Sequence, residues 1–222
     1  MNGTRFIALA SLSALAVSLA CGPAVAASKA GGDVREFTVG LSTDELPKEG
    51  YLGFACGNNG DAPGDEIEGW HAFAECPPDE KGLHEVAFQY DDSEVLFDDL
   101  EGTAIAGHPV IISLLFNNNG VVEALRVFTD PAARPYNKRR ARVLARKVKA
   151  RFGMAGWDCE NLPPEGSEGE IGGVFTKERC ETDLGNRTVT LFTHFYRTFS
   201  NGEEELVNST QFEVWRKAET PS

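Results

Sequence analysis

The chain has no C-x-x-C pair, no G-x-S-x-G and no H-E-x-x-H, and its histidines, His71, His84, His108 and His194, are scattered. These absences exclude the sequence forms of a redox dithiol, a serine-hydrolase elbow and a zinc-protease helix, and leave no spacing suited to tetrahedral zinc. Beyond residues 6–20 no apolar run approaches the length needed to cross a bilayer, so no transmembrane segment is expected. Positive charge is also short: 21 Lys and Arg stand against 34 Asp and Glu, a formal net charge of −13. Nucleic acid is therefore an unsuitable partner, because phosphate is repelled. On these grounds no catalytic residue, metal ligand or cofactor is assigned.

Five cysteines are present. Residues 1–26 have an early Arg5, the apolar run and a small-x-small site at Ala24 and Ala26, the anatomy of a secretory signal peptide. Cys21 gives a minor lipoprotein alternative, although Ser18 stands where the acylation motif normally carries leucine. Removal of the signal leaves Cys56, Cys76, Cys159 and Cys180, an even number in an oxidising compartment. The expected localisation is periplasmic or secreted.

Two cysteine frameworks repeat. Gly50, Gly53, Phe54 and Cys56 match Gly153, Gly156, Trp157 and Cys159 as G-x-x-G-aromatic-x-C. Glu66-Ile67 and Glu170-Ile171 follow in the same order, each with a second cysteine nine residues after the isoleucine. Three pairings are possible in principle, and the repeat favours Cys56 with Cys76 and Cys159 with Cys180. Phe54 and Trp157 are expected to pack against the disulfides.

The remaining chain reads as a linker at 27–33, a first cysteine-loop and β module at 34–131, and a second at 132–219 that begins with a basic helix. A short helix is expected at 43–48, strands at 67–76, 83–90 and 171–179, and a hairpin around Asn117-Asn118-Asn119-Gly120. A second hairpin joins 187–198 to 204–215, where Thr210, Phe212 and Val214 alternate with Ser209, Gln211 and Glu213. Ala141, Leu144, Ala145, Val148 and Phe152 make one apolar stripe, predicting a long amphipathic helix over about 136–152. The expected class is α+β: two tandem disulfide-stapled modules whose antiparallel sheet carries that helix. The tandem order of helix, cysteine loop and strands resembles, in layout only, the β-lactamase-inhibitor-protein type of envelope protein.

Charge is segregated. Residues 33–106 hold 19 acids against 3 bases, 107–157 hold 2 against 10, and 158–222 hold 13 against 6. Eight of the cations lie within 138–151, and Arg139, Arg142, Arg146 and Lys149 are the candidate docking residues. The partner they would suit is an anionic protein, a lipid head group or a polymer; the bland alternative is a solvated face answered by the protein's own acids. The acidic loops at 61–68 and 91–101 match no EF-hand spacing. His194 sits in an aromatic strand, as a packed histidine does, and His71 occurs in only one copy of the repeat. The functional expectation is an exported non-enzymatic protein that binds another macromolecule in the periplasm or cell envelope through its sheet face or basic helix. The alternatives are a small periplasmic hydrolase with its site between the modules, and a structural protein resting on the membrane. Oligomeric state is not readable from the sequence.

Overall fold

The computed structural model describes residues 32–91, 103–138, 140–200 and 202–217, without the side chains of Pro135 and Ser200. The β-branched and alternating runs form β1 (Tyr51–Cys56), β2 (His84–Tyr90), β3 (Ala104–Ile105), β4 (His108–Phe116), β5 (Val122–Thr129), β6 (Asp158–Asn161), β7 (Thr176–Asp183), β8 (Arg187–Ser200) and β9 (Glu203–Arg216). All belong to one antiparallel sheet in the order β1-β2-β4-β5-β9-β8-β7-β6, with β3 paired to β4 off that path. Each half thus contributes a four-strand meander, and the last strands of the two meanders, β5 and β9, meet at the centre.

The Asn-rich turn between β4 and β5 forms as its residues dictate. Asn117 Oδ1 accepts the amides of Asn119 and Val121 at 2.9 and 3.1 Å. Gly120 has φ +72°, and a Cβ there would stand 3.3 Å from the Phe73 ring. Only glycine fits both conditions.

One face of the sheet carries the main core. Val86, Phe88, Ile112, Leu114, Phe116, Leu125, Val127, Val189, Leu191, Phe212 and Val214 are buried there. The N-terminal segment covers it with Phe37, whose ring lies 4.9 Å from Phe88, and with Leu46. Trp70 adds edge contacts to Phe54 and Phe88 at 4.6 and 4.9 Å. Both expected disulfides are present, Cys56–Cys76 and Cys159–Cys180, and in the loop-closure account each stabilises by about 3 kcal/mol. Cys56 and Cys159 lie in the two terminal strands of the sheet, β1 and β6. Their partners differ in setting: Cys76 ends a 3-10 helix, whereas Cys180 sits directly opposite Cys159 in β7.

The expected α+β class with a long helix is overturned, because the fold is predominantly antiparallel sheet. Over 136–152 the chain forms a single turn, α1 (Pro135–Lys138), a 3-10 turn at Ala141–Val143, and a nine-residue helix, α2 (Leu144–Phe152). The apolar stripe does face the core, with Ala141, Leu144, Ala145 and Val148 buried. Charge and tertiary bonding shorten the helix. Like charges at Arg142 and Arg146 four residues apart oppose its extension toward the N-terminus, and no acid stands in its first turn. Asn208 Oδ1 takes the Arg142 amide at 3.1 Å, and Thr210 Oγ1 donates to the Ala141 carbonyl at 2.9 Å. Two expected strands also differ. Trp70–Glu75 is a 3-10 helix, because burying Trp70 requires its Nε1 to reach the Pro47 carbonyl at 2.9 Å. The strand expected from 171 starts at Thr176, after Gly172 and Gly173 turn with positive φ.

On the opposite face Arg126 is buried between two carboxylates. Its Nη1 reaches Glu85 of β2, and its Nε donates to Glu213 Oε1 of β9 at 2.7 Å, with all three side chains no more than 12% exposed. Removing the cation would leave two buried acids without it. Arg126→Met should lower unfolding free energy by about 3–5 kcal/mol in urea titration, and adding Glu85→Gln and Glu213→Gln should restore most of the loss. A loss below about 1 kcal/mol for the single variant would show that the clamp does not hold the sheet.

Candidate interaction surfaces

Strand pairing sorts the second face into rows. Lys177, His194 and Ser209 form one row across β7, β8 and β9; Arg179, Phe192, Gln211 and Phe128 form the next; Glu181, Thr190, Glu213 and Arg126 the third. In the first half of the sheet this face is covered. The Asn59 amide binds Glu85 Oε2 at 3.0 Å, Gly60 lies against Gln211, and Leu83 packs with Leu115, Ala124 and Trp215. Among the described residues the second half has no such cover. Phe192, His194, Ser209 and Gln211 are half-exposed there, and Arg179 is exposed.

The far margin of this open face is an ordered charge network. Lys177 Nζ binds both carboxylate oxygens of Glu168 at 3.0 Å and Glu165 at 3.3 Å. Burial works against the Lys177 ammonium, but these carboxylates outweigh it and hold its pKa above the ordinary value. Burial likewise works against the Glu168 charge and is outweighed by the Glu165 amide and Lys177, so its pKa is lowered. Tyr196 stacks on Phe175 at 5.5 Å, and burial, then the Glu168 charge, pushes its hydroxyl pKa up. His194 beside it has a lowered pKa, from burial first and Lys177 second. With Glu168 holding Lys177 charged, this network is an ion pair rather than a poised base.

The basic segment is less uniform than its composition. Arg139 lies outside the described residues. Arg142 places its guanidinium 4.1 Å over the Phe195 ring, and Lys149 pairs with Glu178 at 3.1 Å. Arg151 donates to the Gly32 carbonyl at 2.7 Å, and Arg140 to the Tyr136 hydroxyl at 3.1 Å. Arg146 and Lys147 are exposed and have no ion pair among the described residues. Of the four sequence-predicted docking residues, Lys149 is engaged with Glu178, Arg142 is exposed but lies over Phe195, and Arg146 is exposed with no ion pair among the described residues.

Cavities are modest. One of about 310 Å³ is bounded by His108, Thr129, Asn137, Lys138 and β9 from Glu205 to Ser209. Another, about 250 Å³ and apolar, lies between α2 and the N-terminal segment. Neither sets a nucleophile beside a base and an oxyanion donor. Cys159, Glu178 and Cys180 bring three ligand-type atoms within 4.8 Å, but the two sulfurs are already joined as a disulfide. His71 is exposed on the 3-10 helix, and Asp61, Asp65, Glu66 and Glu68 are exposed around their loop. Most of the second acidic loop, 92–101, lies outside the described residues. No helix among the described residues is long and apolar enough to cross a membrane. Phe54 and Trp157 are half-buried against the main core.

Sequence reasoning missed the Arg126 clamp and the Lys177 network. Arg126 carried a signal, a cation within an otherwise apolar stretch of β5, but its partners lie 41 and 87 residues away. Comparison of the chain with protein-family models, curated proteins and solved structures gives no match, so the likeness of layout noted above gains no support.

Because His194 has a folded pKa below its unfolded value near 6.5, the folded state binds fewer protons than the unfolded state as pH falls. Stability should therefore decline as pH drops below 6.5, and His194→Gln should flatten part of that decline in thermal melts. Parallel pH profiles for the two proteins would show that His194 does not contribute.

Proposed function

We propose that this is an exported, non-enzymatic protein that binds another macromolecule through the open sheet face over β7, β8 and β9. The observation that carries the reading is the contrast between the halves of one face. Over β2 to β5 it is covered in part by the 57–66 loop, which reaches Gln211 at its border, while over β7 to β9 half-exposed Phe192, His194 and Ser209 remain beside the exposed Arg179. Aromatic and polar groups held on rigid paired strands present contact area with little loss of side-chain freedom on binding. The two disulfides and the signal-like N-terminal sequence support export. The basic helix is the weaker surface, because Arg142 and Lys149 are engaged within the protein.

Affinity capture from envelope extract, followed by mass spectrometry, tests the reading when wild type is compared with two variants. Phe192→Glu with Gln211→Lys should abolish retention of a specific partner, whereas Arg146→Glu with Lys149→Glu should leave it intact. The reverse pattern would transfer the binding role to the helix.

A further inference from the structure

A different part of β9 has an unpaired main-chain edge among the described residues. β5 pairs with β9 only from Gln211 to Trp215, yet β9 continues back to Glu203. The direction of its main chain follows from one contact: the Thr210 amide points away from β8, to Thr129 Oγ1 at 3.1 Å. Amides and carbonyls alternate sides along a strand, so those of Asn208, Leu206 and Glu204 point the same way. Beyond the end of β5 they have no main-chain partner among the described residues. This edge lines the cavity of about 310 Å³ whose other wall holds His108, Thr129, Asp130, Asn137 and Lys138.

The β1, β6 and β8 edges are guarded among the described residues. β1 has an irregularity between Leu52 and Ala55, and β6 is four residues long and carries Asp158 and Glu160. The corresponding stretch of β8 is bridged at Arg197 by Gly169, and Ser167 bonds Phe199. By contrast, the Leu206-Val207-Asn208-Ser209 stretch has no charge, proline or bulge, the devices that normally blunt an edge. On this stretch of β9 the glutamates lie at 203–205, and Glu204 faces Arg197 at 3.5 Å. Leu206 is 52% exposed.

Charge selects the occupant. Leu206 and Asn208 share their face with Arg142, which lies over Phe195. Burial first, and then the Arg140 and Lys147 charges, disfavour the protonated form of His108 in the cavity wall. The helix side of the groove is therefore cationic. We infer that the Glu204–Asn208 edge of β9 binds an extended peptide segment of another protein as an added antiparallel strand, with carboxylate side chains on the helix side. Main-chain bonds supply the pairing and the cations set its register.

The probe is an acetylated, amidated Glu-Val-Glu-Val-Glu-Val peptide titrated into the full mature protein by calorimetry. In antiparallel addition, residues whose amides face β9 place their side chains on the same face as Leu206 and Asn208. N-methylation of the glutamates should therefore abolish binding, and N-methylation of the valines should spare it. Leu206→Pro removes one outward-facing donor without touching the β8 ladder, and should weaken binding roughly tenfold with little change in melting temperature. No binding of the parent peptide, or equal effects of the two methylation patterns, would overturn the inference; the methylated pair decides it even where Leu206→Pro folds poorly. The edge is separate from the β7 to β9 face, so failure here leaves the proposed function standing.

Discussion

The pairing of β5 with β9 is the constraint on which the rest of the structure depends. It turns two meanders into one sheet, and Arg126 sits directly opposite Glu213 in that seam. The same guanidinium reaches Glu85 two strands away, so one cation ties both halves of the sheet. Buried ion pairs add little net stability over apolar replacements, but an acid left behind without its cation is costly. Such an arrangement favours register over raw strength. A slip by one residue would move Arg126 to the apolar core face and separate it from both acids.

With the seam fixed, the two faces take different roles. The core face is closed by Phe37, Trp70 and the Leu144 helix, each contributing a large apolar side chain. Among the described residues the other face is covered chiefly over one half, and the long β8–β9 hairpin runs past the strands that flank it. Exposed Phe199 and Leu206 lie on that extension. The material available for recognition is thus concentrated on the second half, while the acidic first half is largely occupied with covering the sheet.

Local signals made much of this legible in advance. The Asn-Gly turn, the alternation of β9 and the spacing of the cysteines are short-range patterns, and the structure shows the corresponding hairpins and bridges. Elements decided by distant contacts were not legible. The apolar stripe at 141–148 predicted the buried face correctly, but the helix is shortened where Asn208 and Thr210, more than sixty residues later, engage the 3-10 turn before it. Trp70 reads as a strand aromatic until Pro47 and the Phe37 cluster are known to surround it. Of the site, the open face was visible only as alternation; which half would be covered depended on where the 57–66 loop came to rest.

The strand order also has a consequence for biogenesis. β9 lies between β5 and β8, yet it follows both in the chain. During vectorial emergence of the polypeptide, β5 must wait for the whole of β6, β7 and β8 before its partner arrives. Through that interval its almost fully buried sequence, Val122–Thr129, presents an apolar face and an open edge together. The centre of the mature sheet is therefore its latest-formed part, and the nascent chain is most vulnerable to misassociation just before the final hairpin closes.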